Sequence, residues 1–118
     1  MAIVLKAWRC CEEIYADKRI RLVSANAGAG GASSIHCHRS QDNVFILISG
    51  RLRVIIYDQQ PLERTWETIL HRDALGARSV CVPAGLWHQF EAIEDSTFQE
   101  MYLSVNDEPP AAYDIVRV

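Results

Sequence analysis

Ile35-His36-Cys37-His38, followed by the apolar run Asn43-Val44-Phe45-Ile46-Leu47-Ile48-Ser49 and answered further along by Pro83-Ala84-Gly85-Leu86-Trp87-His88, decides how this chain is read. In an extended strand alternate side chains share a face. His36 and His38 therefore project together, Cys37 projects away from them, and His88 must be brought alongside by the fold. Three neutral imidazoles suit a divalent transition metal such as zinc, iron, nickel, manganese or copper. A site with three protein donors leaves a coordination position for water or a ligand.

Outward from these segments the chain reads as strands and turns. Arg19-Ile20-Arg21-Leu22-Val23 alternates, Gly28-Ala29-Gly30-Gly31 forms a loop, and Ser34 to His38 runs extended into a polar turn at Arg39 to Asp42. Asn43 to Ser49 pairs as a hairpin with Arg51-Leu52-Arg53-Val54-Ile55-Ile56-Tyr57 across Gly50. After the polar stretch Asp58 to Arg64, strands are expected at Thr65 to Leu70, Ser79 to Val82, Trp87 to Ala92 and Thr97 to Val105. No segment longer than a few residues has helical spacing. Many short strands separated by turn residues predict an all-β sandwich or barrel. Pro109-Pro110 opens a C-terminal tail, Ala111 to Val118, expected to lie across the barrel surface or a partner.

With 118 residues, 49% hydrophobic and 23% charged, the chain suits a single domain with its own core. Fifteen acidic against twelve basic residues give a net charge of -3, with no Lys and Arg cluster to track phosphates, so nucleic acid is not an expected partner. The N-terminal apolar run is too short for a signal peptide and no stretch is long enough to span a bilayer, so no membrane association and a cytoplasmic location are expected.

Cys10, Cys11, Cys37 and Cys81 are read as thiols, because the expected compartment is reducing. Cys37 is read as a small packing residue on the face away from the histidines. Adjacent Cys10 and Cys11 lack the spacing of a metal pair. His71, between Leu70 and Arg72, reads as a surface or loop residue.

The two histidine segments resemble the paired motifs of the cupin superfamily. Gly30, His36, His38 and Gly50 fall in register with its first motif, Gly, five residues, His-x-His, three or four residues, Glu, six residues, Gly. Gly76, Pro83, Gly85 and His88 match the second, with one extra residue after Gly76. The resemblance implies a double-stranded β-helix, or jelly-roll barrel, with a core at about residues 19–105 and terminal extensions on either side. It also implies a metal held by His36, His38 and His88. Two departures stand out: Asn43 occupies the position of the family's glutamate ligand, and Ala92 that of the second motif's asparagine. An ion held by the three histidines alone keeps its full charge and favours anionic ligands. Asn43 is then a hydrogen-bond donor or weak fourth ligand, and Asp42, of opposite parity, points away.

Strand parity nominates further pocket residues. Phe45, Leu47, Val54 and Ile56 make an apolar floor; Phe90 shares the face of His88, whereas Trp87 and Gln89 point outward. Asn43, Phe45, Phe90 and Tyr102 are the candidate ligand-binding residues. Glu100, acidic within Phe98-Gln99-Glu100-Met101-Tyr102, is either a solvent-facing edge residue or a base near the metal, and Tyr102 shares its parity. Arg51 and Arg53 read as solvated charges on the outer face.

Two functions remain open at this point. One is an enzyme of the isomerase, lyase, decarboxylase or dioxygenase kinds that the resemblance includes, in which the ion polarises a small anionic or sugar-like molecule or engages dioxygen and Glu100 is the catalytic proton carrier. Short segments around His38 and Pro83 are also similar to the cupin part of bacterial mannose-phosphate isomerases. The other is a binding or sensing module without turnover. The apolar ends, Ile3-Val4-Leu5 with Trp8 and Ile115-Val116-Arg117-Val118, fit a homodimer through terminal strands, or cover for the protomer's own barrel.

Overall fold

The computed structural model describes residues 3–5, 9–58, 63–73, 77–106 and 115–117. Gly76, Trp8 and the start of the tail at Pro109-Pro110 lie outside the described residues. The strands are β1 (Ile3–Leu5), β2 (Arg9–Ala16), β3 (Ile20–Ala27), β4 (His36–His38), β5 (Gln41–Ser49), β6 (Leu52–Asp58), β7 (Glu63–Leu70), β8 (Ser79–Val82), β9 (Trp87–Ala92), β10 (Ser96–Ser104) and β11 (Ile115–Arg117). They form two antiparallel sheets, ordered β1-β2-β3-β10-β5-β8 and β11-β4-β9-β6-β7. No helix long and apolar enough to cross a membrane occurs among the described residues.

Alternation explains the layering. In β5 the side chains of Gln41, Asn43, Phe45 and Leu47 are buried while those between them are partly exposed, and β9 and β10 repeat the pattern at His88, Phe90 and Ala92 and at Phe98, Glu100 and Tyr102. Antiparallel partners share a face, so these residues stack in rungs inside the barrel. On the first sheet one rung runs Val23, Glu100, Phe45, Val80, and the next Arg21, Tyr102, Asn43, Val82. On the second sheet Val54 opposes Phe90, Ile56 opposes His88, and His88 opposes His36. Part of the interior is apolar, with the rings of Phe45, Phe90 and Phe98 in tilted and edge-on contact at centroid spacings of 5.2 and 5.4 Å. Each of these rings, 2% exposed or less, contributes roughly 2–3 kcal/mol through burial.

Gly50 makes the β5–β6 connection, and only glycine fits there. Its φ is +91°, and a Cβ would stand 2.4 Å from the Asp95 carbonyl oxygen and the Ser96 Oγ.

Three readings of the sequence change in the fold. Arg9–Ala16, taken as part of an N-terminal extension, is strand β2, paired along its length with β3. Its alternation is broken by a bulge between Glu13 and Tyr15, which hid the period of two. Asn43 to Ser49 and Arg51 to Tyr57 are not hairpin partners: β5 pairs with β10 and β8 and β6 with β7 and β9, so Gly50 carries the chain from one sheet to the other. The apolar ends take one of the two places read for them, β1 beside β2 and β11 beside β4 in the chain's own sheets. Arg53 is not a simply solvated charge, since it pairs with Glu91 on β9 and lies 3.8 Å from Glu67 on β7.

Candidate metal centre

His36 and His38 come from β4, a strand of three residues buried on both faces. Cys37 lies between them, 7% exposed and on the opposite face. His88 comes from β9, directly opposite His36 in the β4–β9 ladder. The turn before β9 is tied to the first histidine segment twice: the Gly85 amide donates to the His38 carbonyl at 2.7 Å and the Ala84 amide to Asp42 Oδ1 at 2.8 Å. Asp42 thus points away from the cavity and acts as a clamp between the two segments.

Each imidazole is held through its Nδ1. His36 Nδ1 is 2.8 Å from the Ser34 carbonyl oxygen and His88 Nδ1 is 3.0 Å from that of Leu86. Only an Nδ1–H can donate to a carbonyl, which assigns the proton to Nδ1 and leaves a lone pair on Nε2. His38 Nδ1 is 3.1 Å from Nε2 of the Gln41 side-chain amide, whose Oε1 is buried without a partner, and the two amide atoms can be exchanged without changing the side chain's shape. With that oxygen turned to Nδ1–H, His38 takes the same tautomer.

The three side chains then converge. Their centroids are 4.4 Å apart for His36 and His88, 5.2 Å for His36 and His38, and 5.4 Å for His38 and His88. One nitrogen from each lies within 4.8 Å of the others, in the one cluster of metal-donor type among the described residues. Nε2 of His38 and of His88 are buried with no hydrogen-bond partner. Buried imidazole lone pairs without a partner cost free energy unless a ligand meets them, and a Lewis acid is the ligand they fit.

Burial favours the neutral form of His38 and His88. Burial, reinforced by the charges of His88 and His36, lowers the pKa of His38 to about 3. Burial likewise lowers that of His88, opposed by its bond to the Leu86 carbonyl and by the charge of Glu100.

The remaining candidates surround this cluster, all but Phe90 from the first sheet. Tyr102 packs edge-on to His38 at 5.4 Å, and Phe45 edge-on to His88 at 6.2 Å. Phe90 lies beneath, stacked between Phe45 and Phe98 in the floor. Asn43 is 1% exposed, and both atoms of its amide are buried without a partner. Glu100 is 1% exposed, so the solvent-facing alternative does not hold; it lies outside the three-nitrogen donor set but near enough to His88 to act on its charge. His71 is far along the chain at the end of β7 and is not part of the cluster. Reading by parity missed Gln41, Ser34 and the Leu86 carbonyl, which orient the rings, since nothing in a sequence marks a backbone acceptor.

No protein-family model matches the chain, and no curated protein matches it by sequence. Solved structures do. KdgF from Halomonas sp. superposes with a TM-score of 0.70 at 14% identity, over 88% of this chain and 86% of its own. The cupin domain of Schizosaccharomyces pombe Cnp3 superposes with 0.69 at 10% identity, over 88% and 69%. A variant of Bacillus subtilis oxalate decarboxylase OxdC reaches 0.78 at 15% identity over 99% of this chain, which spans 30% of that protein. At these identities the likeness is one of fold. This is a two-sheet jelly roll with a three-histidine cluster inside it, and its fold is that of the cupins.

Proposed function

We propose that this chain is a single-domain, metal-binding cupin that uses Nε2 of His36, His38 and His88 to hold a divalent transition metal, zinc, iron, nickel or manganese, and presents it to a small anionic molecule. The observation that carries the reading is the convergence of three imidazoles, two of them with Nδ1 bonded to a backbone carbonyl, the arrangement that metal-binding histidines use. When bound, such an ion supplies Lewis-acid polarisation of a ligand oxygen. The absence of a carboxylate at Asn43 leaves the donor set neutral, which favours a ligand that brings negative charge.

The residues of the chain divide the remaining work. Asn43 offers an unpartnered amide N–H to a ligand oxygen, or its own oxygen as a weak fourth donor. Phe45 and Tyr102 wall the cavity and exclude water, with Phe90 supporting Phe45 from below. Glu100, buried beside His88, is placed to accept or return a proton from a bound molecule. That buried carboxylate favours an enzyme over a binding module, because a binder needs only shape and hydrogen bonds.

We also infer a cytoplasmic homodimer. Across the outer face of the first sheet, Tyr15, Leu22, Met101, Val44 and Cys81 fall in one register row without a charge. A second copy laying the same row across it covers both.

Calorimetric and thermal-shift titration with Zn(II) tests the metal reading. A rise in melting temperature that saturates at one ion per chain supports it; no rise, with no heat of binding, overturns it.

A further inference from the structure

We propose that Arg21 is the anion-reading arm of the barrel: it takes the carboxylate of a small molecule whose other end meets the three histidines. The proposal rests on the metal-site reading and goes beyond it by naming a two-ended ligand and the residue that selects it.

Alternation in Arg19 to Val23 gives no hint that an arginine faces inward. Register does. Arg21 opposes Tyr102 in the β3–β10 ladder, and Tyr102 opposes Asn43 in the β10–β5 ladder, so Arg21, Tyr102 and Asn43 form one rung on the inner face. The guanidinium carbon stands 5.6 Å from the Tyr102 ring centroid, and that ring stands 5.4 Å from His38. A single aromatic ring therefore separates the cation from the imidazole cluster.

The guanidinium is oriented rather than loose. Its Nε donates to Glu13 Oε1 at 2.8 Å, and the Tyr102 ring lies against it, while its side chain is 21% exposed. Glu13 fixes the plane through Nε and leaves the Nη1 and Nη2 edge, which makes no hydrogen bond among the described residues. That edge is the fork that matches two oxygens of a carboxylate. On the far side of Tyr102 in the same rung, the Asn43 amide is buried with both polar atoms unpartnered, so beside the Tyr102 ring the rung offers a polar group without a protein partner. A molecule with an oxygen donor at one end and a carboxylate at the other satisfies the cluster, the amide and the fork together.

The test uses the full chain loaded with Co(II), whose visible absorption reports changes at the ion. Malonate, succinate and glutarate are each titrated against the monocarboxylate of the same chain length, in the wild type and in Arg21→Met and Arg21→Lys. The expected result is that the dicarboxylate of best length binds about tenfold more tightly than its monocarboxylate. The preference is expected to vanish in Arg21→Met and to shrink in Arg21→Lys, with cobalt stoichiometry and monocarboxylate affinity unchanged. Should Arg21→Met fail to fold, Glu13→Gln, which keeps the cation and loosens its plane, is expected to reduce the preference. Wild-type protein that binds cobalt but prefers no dicarboxylate, or a preference that survives Arg21→Met, overturns the role of Arg21 alone. Wild-type protein that takes up no cobalt overturns the metal reading and this proposal with it.

Discussion

The backbone amide of Gly85 donates to the backbone carbonyl of His38 at 2.7 Å, joining the turn before one histidine segment to the strand that carries the other. The residues that form the cluster are far apart in sequence, and this bond, with the Ala84 to Asp42 bond beside it, sets the distance from His88 to its two companions.

Gly85 has φ +87° with open space where a Cβ would stand, so Gly85→Ala tests backbone strain without a clash. A cost of about 1–2 kcal/mol is expected, a loss of several degrees in melting temperature, together with weaker metal binding because the turn carries His88. Gly50→Ala, where the Cβ meets backbone at 2.4 Å, is expected to cost more stability. Thermal denaturation of the two variants, each with and without Zn(II), checks the ranking.

Gln41 holds His38 from behind. Gln41→Leu removes the amide at 3.1 Å from Nδ1 and is expected to weaken Zn(II) about 10–100-fold while leaving the fold intact. Competition with a chromogenic chelator measures the change, and an affinity equal to wild type contradicts the assigned tautomer.

Acid is expected to destabilise the metal-free protein through its buried neutral histidines. His38 takes up a proton at about pH 3 when folded and near its ordinary 6.5 when unfolded. Between these values the unfolded chain binds more protons, so stability is full above pH 6.5 and falls as the pH drops, by up to about 1.4 kcal/mol per pH unit for this one group. Urea unfolding from pH 6.5 to 4.5 should therefore give a shallower slope in His38→Asn than in wild type. Equal slopes contradict the burial of His38 as a neutral base.

Glu100 lies outside the donor set, so Glu100→Gln is expected to retain wild-type metal stoichiometry, whereas His88→Ala loses it. Loss of metal in Glu100→Gln would make Glu100 a ligand.

The outer-face row predicts assembly. Met101→Lys places a charge at the centre of the row Tyr15, Leu22, Met101, Val44, Cys81, and is expected to convert a dimer to a monomer. Light scattering on the eluting protein reads the mass; a wild-type monomer ends the dimer reading.

How legible this was depended on period. The alternation in β5 places Asn43 and Phe45 inside and Asp42 outside, as parity reads them, whereas parity left the face of Glu100 and Tyr102 open and burial on β10 puts both inside. Strand β2 was hidden by its bulge at Glu13 and Tyr15. Arg21 could not be placed from its own strand, because β3 reads inward at Val23, Ala25 and Ala27 while charge on Arg21 suggests the opposite; only its register with Tyr102 gives the face. The partners of the imidazole Nδ1 atoms are mostly backbone carbonyls, which carry no signature in side-chain sequence.

Elemental analysis of protein purified without a metal-affinity tag, beside His36→Ala/His88→Ala purified identically, tests the central claim most directly. About one transition-metal ion per wild-type chain, absent from the double variant, is the predicted result. A wild-type chain that carries no ion and takes none up on addition of zinc, iron, nickel or manganese would contradict it.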